Sequence, residues 1–292
     1  MSVSKGPIHR LLATTLIATT AGMAALVLGS CASHNYGDSQ FHLRMASRGK
    51  DVMWVPTKVE MAHEMLSAAG VKSGDIVYDL GSGDGVIPIE AARKYGVRAV
   101  GIEYNADLVG LSQRNAARAG VEHLTSFKRG DIFVEDFSEA TVLTLYLGES
   151  LNARLMPKIL KMRPGTRVVS NTFNMESWIP DRELRLTSGE QAYLWIVPAD
   201  VHGQWEFSGF SGGRTAQVSL RQKKQYFDAY ITWENRGRTA LSEGKINGSE
   251  VNFEFVTPDS NRIIFQGTAS DRLISGVLVH DPSIKIIGRR IR

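Results

Sequence analysis

Between residue 54 and about residue 198 the apolar positions switch repeatedly between two periods. Val59, Ala62, Leu66 and Ala69 recur at helical spacing. They follow Thr57-Lys58-Val59-Glu60, a capping box with Thr57 at the cap, and stop at Gly70. Asp75–Leu80 is a short apolar run that reads as a buried strand, and a helical stretch with Ile89, Ala91, Ala92 and Tyr95 comes next. Val97–Glu103 reads as a second strand, and Asn105 caps a helix running to Gly120. Ser126–Arg129, Ala140–Leu147 and a segment opened by Pro164 supply three more strands. Strand and helix in strict alternation predict an α/β domain with a doubly wound, mostly parallel sheet over residues 53–198.

After Pro198 helical periodicity vanishes. Gln217–Arg221, Tyr226–Trp233, Val251–Val256, Arg262–Thr268 and Leu273–Val279 alternate with period two. Turn groups such as Gly212-Gly213 and Asn247-Gly-Ser249 separate them, so residues 199–292 predict a small antiparallel β-sandwich or barrel.

The N-terminus has a third texture. Lys5, His9 and Arg10 precede an apolar run from Leu11 to Leu28, and Leu28-Gly-Ser-Cys31 follows. A charged start, an apolar run and small residues before a cut site predict a signal peptide or membrane anchor over residues 1–30, with a linker over 31–52. The Leu-Gly-Ser-Cys end resembles the lipobox of bacterial lipoproteins, which implies lipidation at Cys31, membrane contact through the N-terminus and a place in the cell envelope.

Composition narrows the chemistry. Net charge is +4, split as +1 up to residue 199 and +3 beyond it, so neither half has the concentrated basic surface of a nucleic-acid binder. Arg289-Arg290-Ile291-Arg292 reads as a solvated end. Seven scattered histidines and one cysteine assemble no metal-ligand spacing and no disulfide. Nothing in the sequence points to an oligomer.

Candidate site residues cluster at strand ends. Gly81-Ser82-Gly83-Asp84-Gly85 follows the first strand, where a ligand lying across the strand end needs a backbone without Cβ atoms. A strand–loop–helix turn also aims free N–H groups at that ligand. The spacing G-x-G-x-G, with Val86 in the sixth position, departs from the dinucleotide fingerprint and favours a cofactor without a pyrophosphate. Asp79, Glu103 and Asp131 end three successive strands, which converge on one crevice. Asp79 suits a polar anchor near the loop, Glu103 a pair of ribose hydroxyls, and Asp131, beside Ile132, an adenine amino group.

Asp79-Leu-Gly-Ser-Gly-Asp-Gly85, Gly101-Ile-Glu103 and Gly130-Asp131 resemble the successive motifs of class I methyltransferases, whose fold is Rossmann-like and whose cofactor is S-adenosylmethionine. Trp54-Val-Pro-Thr57, Ala91-Ala92 and Ala140–Leu147 narrow the resemblance to the seven-stranded protein-lysine methyltransferases, including the Dot-type histone methylases and the ATP-synthase c-subunit methylase. It covers residues 50–198 and implies a cofactor set of Thr57, Asp79, Gly81, Ser82, Gly83, Gly85, Glu103, Asp131 and Ile132.

The implied partner is a protein substrate. Gly148-Glu149-Ser150 stands after Tyr146-Leu147 where relatives have a proline and an acidic or polar pair, and no Asn-Pro-Pro-Tyr motif exists. That argues against a base amine or glutamine amide as acceptor. A lysine acceptor has to lose a proton first, since its ordinary pKa is about 10.4, and an apolar aromatic slot favours the neutral amine. Tyr146 is the candidate for that slot, Trp54 for a lid and Glu149, by position, for a base. Small molecules and lipid headgroups remain alternative acceptors, and an inactive front domain carrying a ligand-binding β-domain is an alternative of another class. A cytosolic cofactor sits awkwardly with an export leader; a start at Met45 or Met53 would make the enzyme cytoplasmic.

Overall fold

A computed structural model describes residues 36–291 except 211–212, 234–236, 241–243 and 258. The leader over 1–30 and Cys31 lie outside the described residues.

The first half is a seven-stranded sheet in the order β3-β2-β1-β4-β5-β7-β6. Its strands are β1 (Ile76–Leu80), β2 (Arg98–Glu103), β3 (Thr125–Arg129), β4 (Val142–Leu145), β5 (Arg167–Asn171), β6 (Arg182–Arg185) and β7 (Gln191–Ile196). Pairings from β3 through β5 are parallel, and the two last strands are antiparallel. The helices are α1 (Val59–Ala68), α2 (Val86–Tyr95), α3 (Ala106–Ala119) and α4 (Glu149–Ile159). This is the Rossmann-like arrangement, with an antiparallel edge that the sequence pattern did not reveal.

Strand alternation sorts the core into two layers. Val77, Val142, Val169 and Ala192 pack with Met61, Met65 and Leu66 of α1. Tyr78, Leu143, Val168 and Trp195 face the other way, onto Leu151 and Leu155 of α4.

Two local expectations change here. Thr57 does not cap α1: the N-cap is Lys58, and no side chain bonds the first turn. The buried stripe runs through Met61, Ala62, Met65 and Leu66, which leaves Val59 37% exposed. Residues 36–52 are no free linker. Asp38 holds Arg114 of α3 through two hydrogen bonds of 2.6 and 3.0 Å. Leu43 is buried against Leu108 and Leu111, and residues 46–54 fold into a small hairpin closed by the Trp54–Ser47 and Ala46–Trp54 backbone bonds.

The second half is a closed antiparallel barrel rather than a sandwich. Its strands are β8 (Gly203–Phe210), β9 (Arg214–Lys223), β10 (Tyr226–Trp233), β11 (Gly237–Ala240), β12 (Gly244–Asn247), β13 (Glu250–Val256), β14 (Arg262–Ala269), β15 (Leu273–Leu278) and β16 (Asp281–Arg290). Each pairs with its sequence neighbour and β16 returns to β8, while β11 and β12 share the edge of β10. Inward positions carry Trp205, Phe207, Phe253 and Phe265, which fill the interior of an eight-stranded closure with side chains. Within the basic end Arg289 and Ile291 are exposed, but Arg290 lies in β16, donates to the carbonyls of Asp200, His202 and Asp271, and covers the ring of Trp205 at 4.7 Å.

The barrel docks at the entry edge of the parallel strands, opposite their C-terminal ends. Gly248 lies against Gly165, just before β5; Gln225 donates to the Ile179 carbonyl at 2.7 Å; and Lys245 meets Asp181 at 3.3 Å.

Candidate active site

A cavity of about 340 Å³ opens along the C-terminal ends of β1, β2 and β4, at the lower end of the range for small-molecule sites. Every cofactor residue expected from the sequence lines it except Gly85, and Tyr146 lines it too.

The glycine loop works by close approach, not by free donors. The N–H groups of Gly81 and Ser82 bond the Ile102 carbonyl, that of Gly85 bonds Ser82, and that of Gly83 donates to Glu103 Oε2 at 3.0 Å. Gly83 has φ +54°, and a Cβ there would stand 2.6 Å from Trp54 Nε1. Gly85 is packed instead of exposed to ligand, since its Cβ would meet Ser112 and Phe127.

The three acids differ in their surroundings. Asp79 is buried and accepts a 2.6 Å bond from Thr144; burial, with Glu103 and Asp84 nearby, pushes its carboxyl up to about 7. Burial likewise raises Asp84 to about 6, although the carboxyl accepts from its own amide and from Val86 at the start of α2. Glu103 is pinned by Gly83 and by the Asn105 amide at 2.9 Å, which leaves lone pairs on both oxygens for further donors. Asp131 accepts from the Phe133 amide and from Lys50 of the N-terminal hairpin at 2.6 Å, and that lysine holds its carboxyl below the usual range.

These features fit S-adenosylmethionine. A carboxyl that burial raises to about 7 would ionise beside a cationic amino group, Glu103 has capacity for two hydroxyls, and the Ser82 hydroxyl is buried without a partner.

At the acceptor end, Tyr146 is half-buried and pairs with Phe173 at 6.1 Å. Glu149 does not join them: it is the first residue of α4, exposed, and absent from the cavity wall, while Leu151 and Asn152 take the buried side of that first turn. The sequence reading missed Lys50 and Phe173. Only the long-range packing of the hairpin and of the loop after β5 brings them in.

The ANTKMT methyltransferase domain matches residues 79–182. A protein-lysine N-methyltransferase of Saccharolobus islandicus is 40% identical over 151 residues, covering 50% of this chain and 94% of the relative. The chain belongs to the protein-lysine methyltransferase family. The adenine nucleotide translocase lysine N-methyltransferase of Mus musculus is 34% identical and aligns with 52% of this chain and 64% of its own length. A crystal structure of an RNA methyltransferase from Salinibacter ruber with S-adenosyl-L-homocysteine is 48% identical, covering 50% of this chain and 96% of that one, with a TM-score of 0.49. The methyltransferase half is therefore an S-adenosylmethionine-dependent enzyme.

Proposed function

We propose that this methyltransferase modifies the side-chain amine of a lysine in a protein substrate. The observation that carries the reading is the 40% identity to a protein-lysine N-methyltransferase along nearly all of that relative. The aromatic pair of Tyr146 and Phe173 beside the cofactor cavity suits the same substrate. Bound S-adenosylmethionine supplies an electrophilic methyl group on a sulfonium. Asp79 would hold the cationic end of the cofactor, Glu103 would accept hydrogen bonds from its ribose hydroxyls, and Asp131 with Ile132 would border its base. The wall at Tyr146 excludes water and favours the neutral amine, which loses its proton to solvent before attack.

Labelled cofactor, the native chain and lysine-bearing proteins should yield methyl-lysine in tandem mass spectra. Label found only in lipid, small molecules or RNA would overturn the reading.

The leader favours an envelope location with Cys31 lipidated. Intact mass of the native protein should show loss of residues 1–30 and added acyl mass. A protein beginning at Met45 or Met53 would instead be cytoplasmic, and the second would lack both Asp38 and Lys50.

A further inference from the structure

Among the buried side-chain atoms of the described residues that have no hydrogen-bond partner are Oε2 of Glu190 and Oδ1 of Asn171, with Asn152 Oδ1 of α4 in the same state. A buried acceptor without a donor is costly, and such atoms are few in native structures. The placement of the first two is coherent. Asn171 ends β5 on the face that carries Val169, and its amide nitrogen reaches Met61 Sδ of α1 at 3.2 Å. Asn171 pairs with Ala192 of β7, so Glu190, two residues before Ala192, stands on the same face. Asp79 and Thr144 share that face on the neighbouring strands, and Tyr146 continues it past the end of β4.

Glu190 also acts electrostatically on Tyr146, whose phenol is raised above its ordinary range by burial first and by the Glu190 charge second. The remaining groups around Glu190 leave Oε2 free. Ser188 and the residue's own amide donate to the carboxylate, and Lys58, exposed at the start of α1, influences it from a distance without an ion pair.

We propose that Glu190 and Asn171, walled by Tyr146, form the binding slot for the acceptor amine. A primary amine is the complementary group: in its neutral form it carries two N–H donors and one lone pair. Directing one N–H to each oxygen turns the lone pair away from both, towards the cofactor cavity that Asp79 and Tyr146 line. A hydroxyl or thiol acceptor has one donor and would leave one oxygen unmet. The slot thus selects primary alkylamines, and it rests on the lysine reading given above.

The test uses binding, not turnover. Two stable donor analogues are compared on the full chain by calorimetry, one with an aminopropyl and one with a butyl group in place of the transferred methyl, with S-adenosylhomocysteine as reference. The native protein should favour the aminopropyl analogue by about tenfold or more, the gain expected when a donor meets a charged acceptor. Glu190→Met should reduce that preference below about threefold while the affinity for S-adenosylhomocysteine stays unchanged. Asn171→Leu, a buried site, should act in the same direction; Glu190, at a half-buried turn, gives the variant that keeps its fold. No preference in the native chain, or an undiminished one in Glu190→Met, would overturn the slot and leave the cofactor assignment standing. If S-adenosylhomocysteine itself fails to bind, the methyltransferase reading falls and the slot with it.

Discussion

The two halves of the molecule bury different things. Among the described residues, the buried polar side chains are Asp75, Asp79, Ser82, Glu90, Ser112, Thr144, Asn152, Thr166, Ser170 and Asn171 in the sheet half, against Gln225 alone in the barrel. Gln225 sits at the seam, bonded to the Ile179 carbonyl. The barrel is built as a regular object: inward positions are apolar, outward ones polar, and Phe207 meets Phe253 and Phe265 edge to face. The sheet half departs from that regularity along the C-terminal edge of its strands, where a carboxyl is buried and Gly81, Gly83, Gly85 and Gly148 hold positive φ. Polar burial costs stability unless it is paired. Asp79, Ser82, Thr144, Ser170 and Asn171 gather at that one edge, with unpartnered oxygens on Ser82 and Asn171, and such an edge suits a ligand, whereas the barrel core is committed to packing.

The sharpest way to break this contrast is to damage each half and watch the other. Phe253 stacks on Phe265 at 4.7 Å and lies edge-on to Phe207 and Phe227. Phe253→Ala should cost about 3–5 kcal/mol of barrel stability, measured by denaturant unfolding. Cofactor affinity, measured calorimetrically below the transition, should stay unchanged. A parallel loss of affinity would show the two halves to be energetically one.

Asp79 gives the matching experiment in the sheet half. Its carboxyl titrates near 7 in the folded protein against an ordinary 3.8. Because the folded value is raised, the protonated form stabilises the fold. That contribution is fully present below about pH 4 and is lost as pH rises through about 7. It amounts to up to about 4 kcal/mol. Asp84, raised to about 6, adds in the same direction. Asp79→Asn should flatten the decline in unfolding free energy between about pH 4 and pH 7 and also weaken cofactor binding. In the native chain, cofactor binding below pH 7 should release a proton, visible as a buffer-dependent heat. Unchanged pH dependence in the variant would show that Asp79 is ionised throughout.

Gly83→Val tests close approach. The residue has φ +54°, a conformation β-branched residues avoid, and the new side chain would strike the Trp54 indole. Cofactor affinity should fall about a hundredfold, near 2.7 kcal/mol, as read by calorimetry. An affinity within threefold of native would show that the cavity does not hold the cofactor at this loop.

What was legible in the sequence followed from local periodicity and from residues whose role is fixed by a strand end. β10 matches its sequence boundaries because Tyr226–Trp233 alternates without interruption. Asp79, Glu103 and Asp131 could be placed because each stands at the end of one of three successive strands, and such ends converge. Glu149 misled because adjacency to Tyr146 says nothing about side-chain direction at a helix start. β6 escaped because an exposed, charged Arg-Glu-Leu-Arg strand has no apolar face to betray it. Lys50, Asn171 and Glu190 could not be found at all by spacing. Lys50 is 81 residues from Asp131, and the other two join only through the antiparallel turn of β7 onto β5.

The smallest effect is expected from removing the barrel. The bonds between the halves fall on residues that precede β5 or lie between β5 and β6 or after β7, at the edge of the sheet remote from the cavity. The groups that truncation would bare include Ser177, which Lys224 bonds at 2.8 Å, and Asp181, and both can exchange their partners for water. A chain of residues 36–198 keeps the hairpin, with its Asp38–Arg114 and Lys50–Asp131 contacts, and all the cavity residues. Its affinity for S-adenosylhomocysteine should therefore lie within about threefold of the full chain, less than about 0.7 kcal/mol. The comparison has to be made at equal folded fraction, established by circular dichroism, because a new edge can lower solubility without touching the site. A folded fragment that binds nothing would show the barrel to be part of the cofactor site. One that binds and methylates protein as fast as the whole chain would exclude the barrel from choosing the acceptor, as its position behind the sheet leads us to expect.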